Sequence, residues 1–94
     1  MSAYYIISYD VVDQKGYELY ASEVAKLLPA YGASVLFSDS QATTVEGTHS
    51  QINAIVLFPS RELALECYNS EKYQKIKNIR LSSVENSRFV LAVD

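Results

Sequence analysis

Three segments of this sequence are rich in β-branched and aromatic residues and carry apolar side chains at consecutive positions. Ala3 to Val12, Ile52 to Pro59 and Arg88 to Val93 are predicted strands on this ground. A sheet covered by helices on one face and water on the other alternates apolar and polar residues. Pairs such as Ile6-Ile7 and Ile55-Val56 are instead apolar on both faces. We therefore expect a second copy of the chain to cover the face that the helices leave bare. The alternative is that these are central strands with some apolar surface exposed.

A helix is predicted from Gln14 to Tyr31, because apolar residues recur there at helical spacing after the N-cap residue Asp13. Gly32 follows as a C-terminal cap, and Pro29 is expected to kink or tighten the last turns.

Ala33 to Ser38 is predicted to be the second strand. Ala42 to Gly47 is predicted to be its bent continuation or a short strand of its own. Ser60 and Ser70 each begin a helical stretch. The resulting order β-α-β-β-α-β predicts an α+β, ferredoxin-like fold, with a four-stranded, mainly antiparallel sheet and helices on one face.

The 94 residues are expected to form one domain, 1–94. The net charge is −3 and the basic residues are scattered, which argues against nucleic acid as a partner. No apolar stretch approaches the ~20 residues of a membrane span, and no signal peptide is evident, so we expect a cytoplasmic protein that does not bind membranes.

Cys67 is the only cysteine, on a predicted helix face, and is interpreted as a buried, inert thiol. His49, the only histidine, is interpreted as an exposed loop residue, with a general base as the alternative. No metal site or cofactor is expected, because phosphate-binding loops and metal-ligand motifs are missing.

Tyrosine is unusually frequent, with 8 tyrosines against 3 phenylalanines and no tryptophan. A buried tyrosine hydroxyl requires a hydrogen-bonding partner, so a core built only for packing would use phenylalanine more often. Tyr20 and Tyr31 lie on the inner stripe of the first helix, and Tyr68 and Tyr73 flank the break in the second helical region. If these hydroxyls converge, they line a ligand pocket between helices and sheet. The alternative is that the rings pack inside and the hydroxyls reach water.

Three charged residues lie where apolar ones are expected. Asp10 ends the first strand, Glu46 lies in a β-branched run, and Arg80 follows two isoleucines on a helix. Arg80 can pair with either carboxylate or bind a ligand carboxylate with two hydrogen bonds. Asp10 and Glu46 are the candidates for acid–base catalysis, and a structural ion pair is the alternative.

Several short elements occur in an order typical of one known family. They are Asp10, Tyr20, Tyr31-Gly32, Val45-Glu46-Gly47, Phe58-Pro59-Ser60, Ala64, Tyr68, Ser70, Tyr73, Arg80 and Arg88-Phe89-Val90-Leu91. Over nearly its whole length the chain thereby resembles the domain of unknown function 1330 family. The sequence departs from the family pattern at Ala33, where a second glycine is usual, and at Glu66-Cys67, which replaces a common Ala-Trp.

The resemblance implies a ferredoxin-like fold of the dimeric α/β-barrel superfamily. That superfamily includes cofactor-independent monooxygenases and isomerases, and also members without known activity, so no catalytic residue is carried over. We expect a homodimer formed through the sheet face, with a pocket for a small anionic or phenolic metabolite between sheet and helices in each subunit. Its ligand-binding candidates are Tyr20, Tyr31, Tyr68, Tyr73 and Arg80. Whether it catalyses a cofactor-independent reaction stays open, and the alternative is a non-catalytic homodimeric structural or regulatory module.

Overall fold

The computed structural model describes residues 1–48 and 50–94, so His49 lies outside the described residues. The elements are β1 (Ala3–Val11), α1 (Gln14–Leu27), a short 3-10 helix (Leu28–Tyr31), β2 (Ser34–Asp39), β3 (Ile52–Phe58), α2 (Arg61–Tyr68), α3 (Glu71–Ser83) and β4 (Val84–Val93). The strands form one antiparallel sheet in the order β2-β3-β1-β4. The predicted α+β, ferredoxin-like arrangement is confirmed.

Each α-helix begins at a predicted cap. The Asp13 carboxylate accepts a hydrogen bond from the backbone N–H of Gly16 at 3.2 Å. The hydroxyls of Ser60 and Ser70 accept the backbone N–H three residues further on, each at 3.1 Å. Such caps stabilise a helix by about 1 kcal/mol each, because they satisfy N–H groups that have no partner within the helix.

Two predicted boundaries differ by several residues from those observed, and the ends of β1, β2 and β3 differ by one residue. The first α-helix ends at Leu27 rather than Tyr31, and the chain continues as a 3-10 helix. Pro29 lacks an N–H group and lies at the start of this tighter turn. The last strand begins at Val84 rather than Arg88, because Val11 and Asp10 of β1 extend the pairing to Val84 and Glu85.

The prediction of extended structure over Ala42 to Gly47 is wrong, since no strand is present there. The turn after β2 begins where the Asp39 carboxylate accepts the N–H of Gln41 at 2.8 Å. β2 is an edge strand paired only with β3, and the pairing of its last residue, Asp39, with Asn53 already reaches the beginning of β3. The chain beyond the turn therefore has no neighbouring strand with which to form a ladder.

The two faces of the sheet differ in their cover. The helices pack on the side chains of Ala3, Tyr5, Ile7 and Tyr9 and their strand neighbours, which are buried. We call the other side the open face. Its residues are Tyr4, Ile6 and Ser8 of β1, Asn53, Ile55 and Leu57 of β3, Arg88, Val90 and Ala92 of β4, and Ser34, Phe37 and Asp39 of β2.

The beginning of α1 is tied to the end of α3. The carbonyl of Ser83 accepts hydrogen bonds from the N–H groups of Val12 and Asp13, at 2.8 and 3.1 Å. A Cβ atom on Gly16 would collide with the Ser83 hydroxyl, so glycine is required for this close approach. Among residues 1–48 and 50–94, none of the helices has the length and apolar character needed to cross a membrane.

Candidate functional site

Two adjoining cavities lie between the helices and the sheet. The inner cavity, of about 40 Å³, is lined by Tyr5, Ile7, Tyr20, Val24, Leu28, Val56, Phe58, Cys67, Tyr68, Tyr73 and Phe89. The outer cavity, of about 140 Å³, lies between α1 and the sheet and is lined by Ile7, Tyr9, Tyr17, Tyr20, Ala21, Val24, Ala25, Val35, Ser38, Ala54, Val56 and Phe89. Ala21 and Ala25 are exposed and Val35 is half-exposed, so the mouth of the outer cavity lies at the gap between α1 and β2.

The volumes limit what these cavities hold as they stand. Sites for drug-sized ligands are typically about 300–1,000 Å³. An apolar cavity of about 150 Å³ holds a molecule the size of benzene. The outer cavity, at about 140 Å³, therefore matches one aromatic ring, whereas the inner cavity, at about 40 Å³, has room for roughly one water molecule.

A pair of tyrosine hydroxyls lies at the centre of the helix layer. The hydroxyls of Tyr20 on α1 and Tyr73 on α3 are 2.8 Å apart, and both residues are buried. The ring of Tyr68 lies 5.2 Å from that of Tyr73. Burial raises the pKa of Tyr20 and of Tyr73, so both hydroxyls are protonated at neutral pH. One of the two hydroxyl protons forms the hydrogen bond between the oxygens, and the proton of the other hydroxyl is available for a further acceptor.

A second tyrosine pair lines the outer cavity. The rings of Tyr9 on β1 and Tyr17 on α1 meet edge to face, 5.6 Å apart. Burial raises the pKa of Tyr9 as well. Deeper under α2, the Tyr5 hydroxyl donates to the carbonyl of Ala64 at 2.9 Å, and burial raises the pKa of Tyr5 to about 12. The hydroxyl groups of Tyr5, Tyr9, Tyr20 and Tyr73 are therefore neutral hydrogen-bond donors.

Arg80 lies one layer behind the cavity wall. Its guanidinium carbon is 4.0 Å from the ring centre of Phe89 and 5.8 Å from that of Tyr20. Because both rings also line the cavities, they separate the guanidinium from the cavity interior. The positive charge of Arg80 opposes the rise in pKa that burial gives to Tyr9, Tyr20 and Tyr73.

The guanidinium is buried without an opposite charge among the described residues. Arg80 is only 4% exposed, and Nη1 donates to the Ser87 hydroxyl at 3.2 Å. Its Nε atom is buried without a hydrogen-bonding partner in the described part of the chain. The ion pairs between residues that the structure describes are Lys26–Glu23 and Lys75–Glu71. The predicted pairing of Arg80 with Asp10 or Glu46 is therefore wrong, because both carboxylates lie elsewhere.

The structure separates the two candidate acids from the tyrosines. Asp10 accepts hydrogen bonds from the N–H of Gln51 at 2.8 Å and from the side chain of Asn86 at 3.0 Å. Glu46 is exposed and lines a concavity on the open face of the sheet. Tyr31, in the 3-10 helix, packs against the core but lines neither cavity. Tyr20, Tyr68, Tyr73 and Arg80 are brought together.

Tyr9 and Tyr17 are site residues that the sequence interpretation did not include. The signal for Tyr9 was present in the alternation of β1, where Tyr5, Ile7 and Tyr9 occupy every second position. Tyr17 lies one helical turn before Tyr20 and belonged to the predicted apolar stripe.

Cys67 is buried, as predicted, and burial raises the pKa of its thiol to about 11. It is therefore protonated at neutral pH and unreactive. Over the two described ranges, no three His, Cys, Asp or Glu side chains come close enough together to hold a metal ion.

The family model described as "Domain of unknown function (DUF1330)" matches residues 2–93. Among curated proteins, none matches the sequence. A solved protein of unknown function from Rhodopseudomonas palustris is 15% identical, with 97% of this chain and 80% of that one covered and a TM-score of 0.84.

Two further solved structures share the fold. A dimeric ferredoxin-like protein of unknown function from Thermobifida fusca is 10% identical, with 100% of this chain and 92% of that one covered and a TM-score of 0.69. A cofactor-independent oxygenase from Streptomyces nogalater is 7% identical, with 99% of this chain and 92% of that one covered and a TM-score of 0.69. At these identities, the likeness establishes the ferredoxin-like fold alone.

Proposed function

This chain belongs to the domain of unknown function 1330 family, and we propose from its cavities that each subunit of a homodimer binds a small anionic or phenolic molecule. The binding site is the outer cavity between α1 and the sheet. The ligand is a compound with one aromatic ring, because the volume of about 140 Å³ matches a benzene-sized molecule.

The observation that carries this proposal is the buried Arg80, which has no ion-pair partner within residues 1–48 and 50–94. Burying a guanidinium without an opposite charge costs several kcal/mol. A carboxylate or phenolate entering the outer cavity would supply that charge, across the layer formed by Tyr20 and Phe89. The protonated hydroxyls of Tyr9 and Tyr20 would donate hydrogen bonds to it directly.

The homodimer is supported by the open face. Ile6, Phe37 and Val90 are 45%, 53% and 46% exposed and form a continuous apolar band across the sheet. Apolar patches of this kind mark association surfaces. The T. fusca protein of the same fold is described as dimeric. We place the protein in the cytoplasm, where a lone unpaired thiol such as that of Cys67 is ordinary.

Catalysis is a separate question from binding. The oxygenase from S. nogalater is described as cofactor-independent, and a reaction of that type in this chain would have to use the tyrosines as proton carriers. Asp10 and Glu46 lie outside both cavities. The small inner cavity favours the second candidate, a non-catalytic homodimeric module whose tyrosines only pack.

Thermal unfolding in the presence of benzoate, 4-hydroxybenzoate or phenol tests the binding proposal. A compound that binds only the folded state raises its stability. We expect a higher melting temperature with at least one of these probes, and no rise in Ala25→Leu, which narrows the mouth of the outer cavity. Ser22→Leu, on the same helix but outside both cavities, is the matched control. If no probe shifts the wild type, or if Ala25→Leu responds as the wild type does, the outer cavity is not the binding site.

Sedimentation equilibrium tests the dimer. A mass of about twice the 10.5 kDa chain at micromolar concentration is expected, and Ile6→Glu should reduce it to the monomer, because a charge would then lie within the apolar band. A wild-type chain that remains monomeric would refute this half of the proposal.

A further inference from the structure

The twelve residues of the open face form three rows that run across the strands: one is apolar, one is mostly apolar and one is polar. Strand pairing places Ser8 of β1 beside Asn53 of β3 on one side and Arg88 of β4 on the other. Asp39 of β2 continues the row beyond Asn53. We call these four residues the polar row. The next row, centred on Ile6, is apolar throughout.

The two ends of the polar row carry opposite charges. Asp39 lies on one edge strand and Arg88 on the other, and both are exposed. Neither takes part in an ion pair within the described residues. Three strand spacings separate them, about 14 Å, so they are too far apart to pair within one chain.

Face-to-face packing of two copies allows two simple symmetries. A two-fold axis parallel to the strands places β2 of one copy opposite β4 of the partner and keeps each row opposite the same row. A two-fold axis across the strands places β2 opposite the partner's β2 and reverses the order of the rows. The polar row then lies opposite the row of Tyr4 and Leu57.

The charges of Asp39 and Arg88 favour one of the two orientations of the axis. With the axis across the strands, Asp39 and Arg88 lose part of their solvent contact against a mostly apolar row and gain no opposite charge, which is unfavourable. With the axis along the strands, Asp39 lies opposite Arg88 of the partner subunit. In the same arrangement, Asn53 lies opposite Ser8 of the partner subunit, and the apolar rows face each other.

We therefore infer, on the basis of the proposed homodimer, that the two-fold axis runs parallel to the strands and that Asp39 forms an ion pair with Arg88 of the partner subunit. The symmetry creates this pair twice, once at each seam between the sheets. Packed sheets cross at roughly 30°, which displaces the edge strands by about 4 Å. The length of an arginine side chain spans such a displacement.

Glu46 is the nearest rival partner for Arg88, since both line the same concavity on the open face. It does not pair with Arg88 within one chain. A test of the inference must therefore distinguish Asp39 from Glu46.

Cross-linking of introduced thiols with a short bismaleimide tests the symmetry directly. Facing sheets lie about 10 Å apart, which is beyond the roughly 7 Å between Cα atoms that a disulfide allows but within the reach of such a reagent. We expect a covalent dimer on denaturing gels from Asp39→Cys/Arg88→Cys treated with it. Asp39→Cys/Ser34→Cys is the matched control, because those two positions meet only if the axis runs across the strands. Wild-type protein, whose Cys67 is buried, should not cross-link.

Charge reversal supplies a second readout. Asp39→Arg and Arg88→Asp should each weaken dimerisation by about 10-fold in the dissociation constant, because each places like charges opposite each other. The double reversal should restore dimerisation, whereas Glu46→Gln should leave it unchanged. A wild-type monomer would refute the proposed homodimer itself. Two results obtained with a dimeric wild type would overturn the inferred axis. One is cross-linking of Asp39→Cys/Ser34→Cys instead of Asp39→Cys/Arg88→Cys, and the other is a double reversal that does not restore dimerisation. In both cases the proposed homodimer itself would stand.

Discussion

The buried arginine gives the sharpest test of whether the helix layer is built for a ligand. If Arg80 serves the fold, its removal is costly. If it serves a ligand, the local contacts of the charge only offset its desolvation, and a neutral residue leaves the stability of the ligand-free protein nearly unchanged. Arg80→Met distinguishes the two cases, because methionine keeps most of the aliphatic stem and has no charge.

The magnitude follows from the contacts of Arg80. At 4% exposure, desolvation of the guanidinium costs several kcal/mol. The hydrogen bond to Ser87 at 3.2 Å contributes about 1.5–3 kcal/mol of stabilisation, since one partner is charged. The cation–π interaction with the ring of Phe89 at 4.0 Å contributes about 2 kcal/mol. Together these two interactions nearly offset the desolvation of the guanidinium.

We therefore expect Arg80→Met to change the free energy of unfolding by less than about 1.5 kcal/mol in the absence of ligand. Loss of one member of a buried ion pair would cost about 3–5 kcal/mol instead. The Ser87 hydroxyl is exposed and can bind water after the substitution, so no second penalty arises.

Urea unfolding at one fixed protomer concentration measures this change, because the stability of a dimer depends on concentration. A probe that binds the wild type should stabilise it by about 2.7 kcal/mol at 100 times its Kd and should leave Arg80→Met unaffected. Arg61→Met, at an exposed position, is the control. A loss of more than about 3 kcal/mol without ligand, or an undiminished response to the probe, would refute the reasoning.

Three further predictions concern the fold and its tyrosines. Gly16→Ala should destabilise the protein by about 1–3 kcal/mol in urea unfolding, because the added Cβ collides with Ser83 and this outweighs the better helix propensity of alanine. Equal stability of the variant and the wild type would contradict the close approach of Gly16 to Ser83. Tyr20→Phe and Tyr73→Phe should each lower the free energy of unfolding by about 1–2 kcal/mol, because each leaves one buried hydroxyl unpaired. The double variant should lose less than the sum of the two, and additive losses would show that the 2.8 Å contact between the hydroxyls is not stabilising. The pKa of Tyr5, about 12 in the folded state, lies above the unfolded value near 10, so its contribution to stability should be complete below pH 10 and lost as the pH rises towards 12. Tyr5→Phe should flatten that part of the profile, and an unchanged profile would exclude Tyr5 as its cause.

Local patterns sufficed to predict much of the fold. Asp13, Ser60 and Ser70 begin helices because their side chains satisfy N–H groups close by in the chain, and such information is local. The strand prediction over Ala42 to Gly47 was wrong because β propensity says nothing about whether a neighbouring strand is available. That depends on β2 lying at the edge of the sheet, which is a property of the whole fold.

The candidate site was predictable in part for the same reason. The stripe on α1 indicated an inward-facing Tyr20, whereas Tyr73 was predicted only to flank the break before α3. That Arg80 pairs with neither Asp10 nor Glu46 was not predictable, because the distances between these side chains depend on how distant parts of the chain pack together. The alternation of β1 groups Tyr9 with Tyr5 and Ile7, but because this strand carries apolar groups on both faces, it does not reveal which face the helices cover.

The junction between α1 and α3 has a mechanical consequence for ligand entry. The Ser83 carbonyl holds the first residues before α1, and the Tyr20–Tyr73 contact joins the two helices further along. A molecule that widens the gap between α1 and β2 therefore has to move α1 and α3 away from the sheet together. Amide hydrogen exchange should accordingly change in α1 and α3 in concert when the cavity is filled.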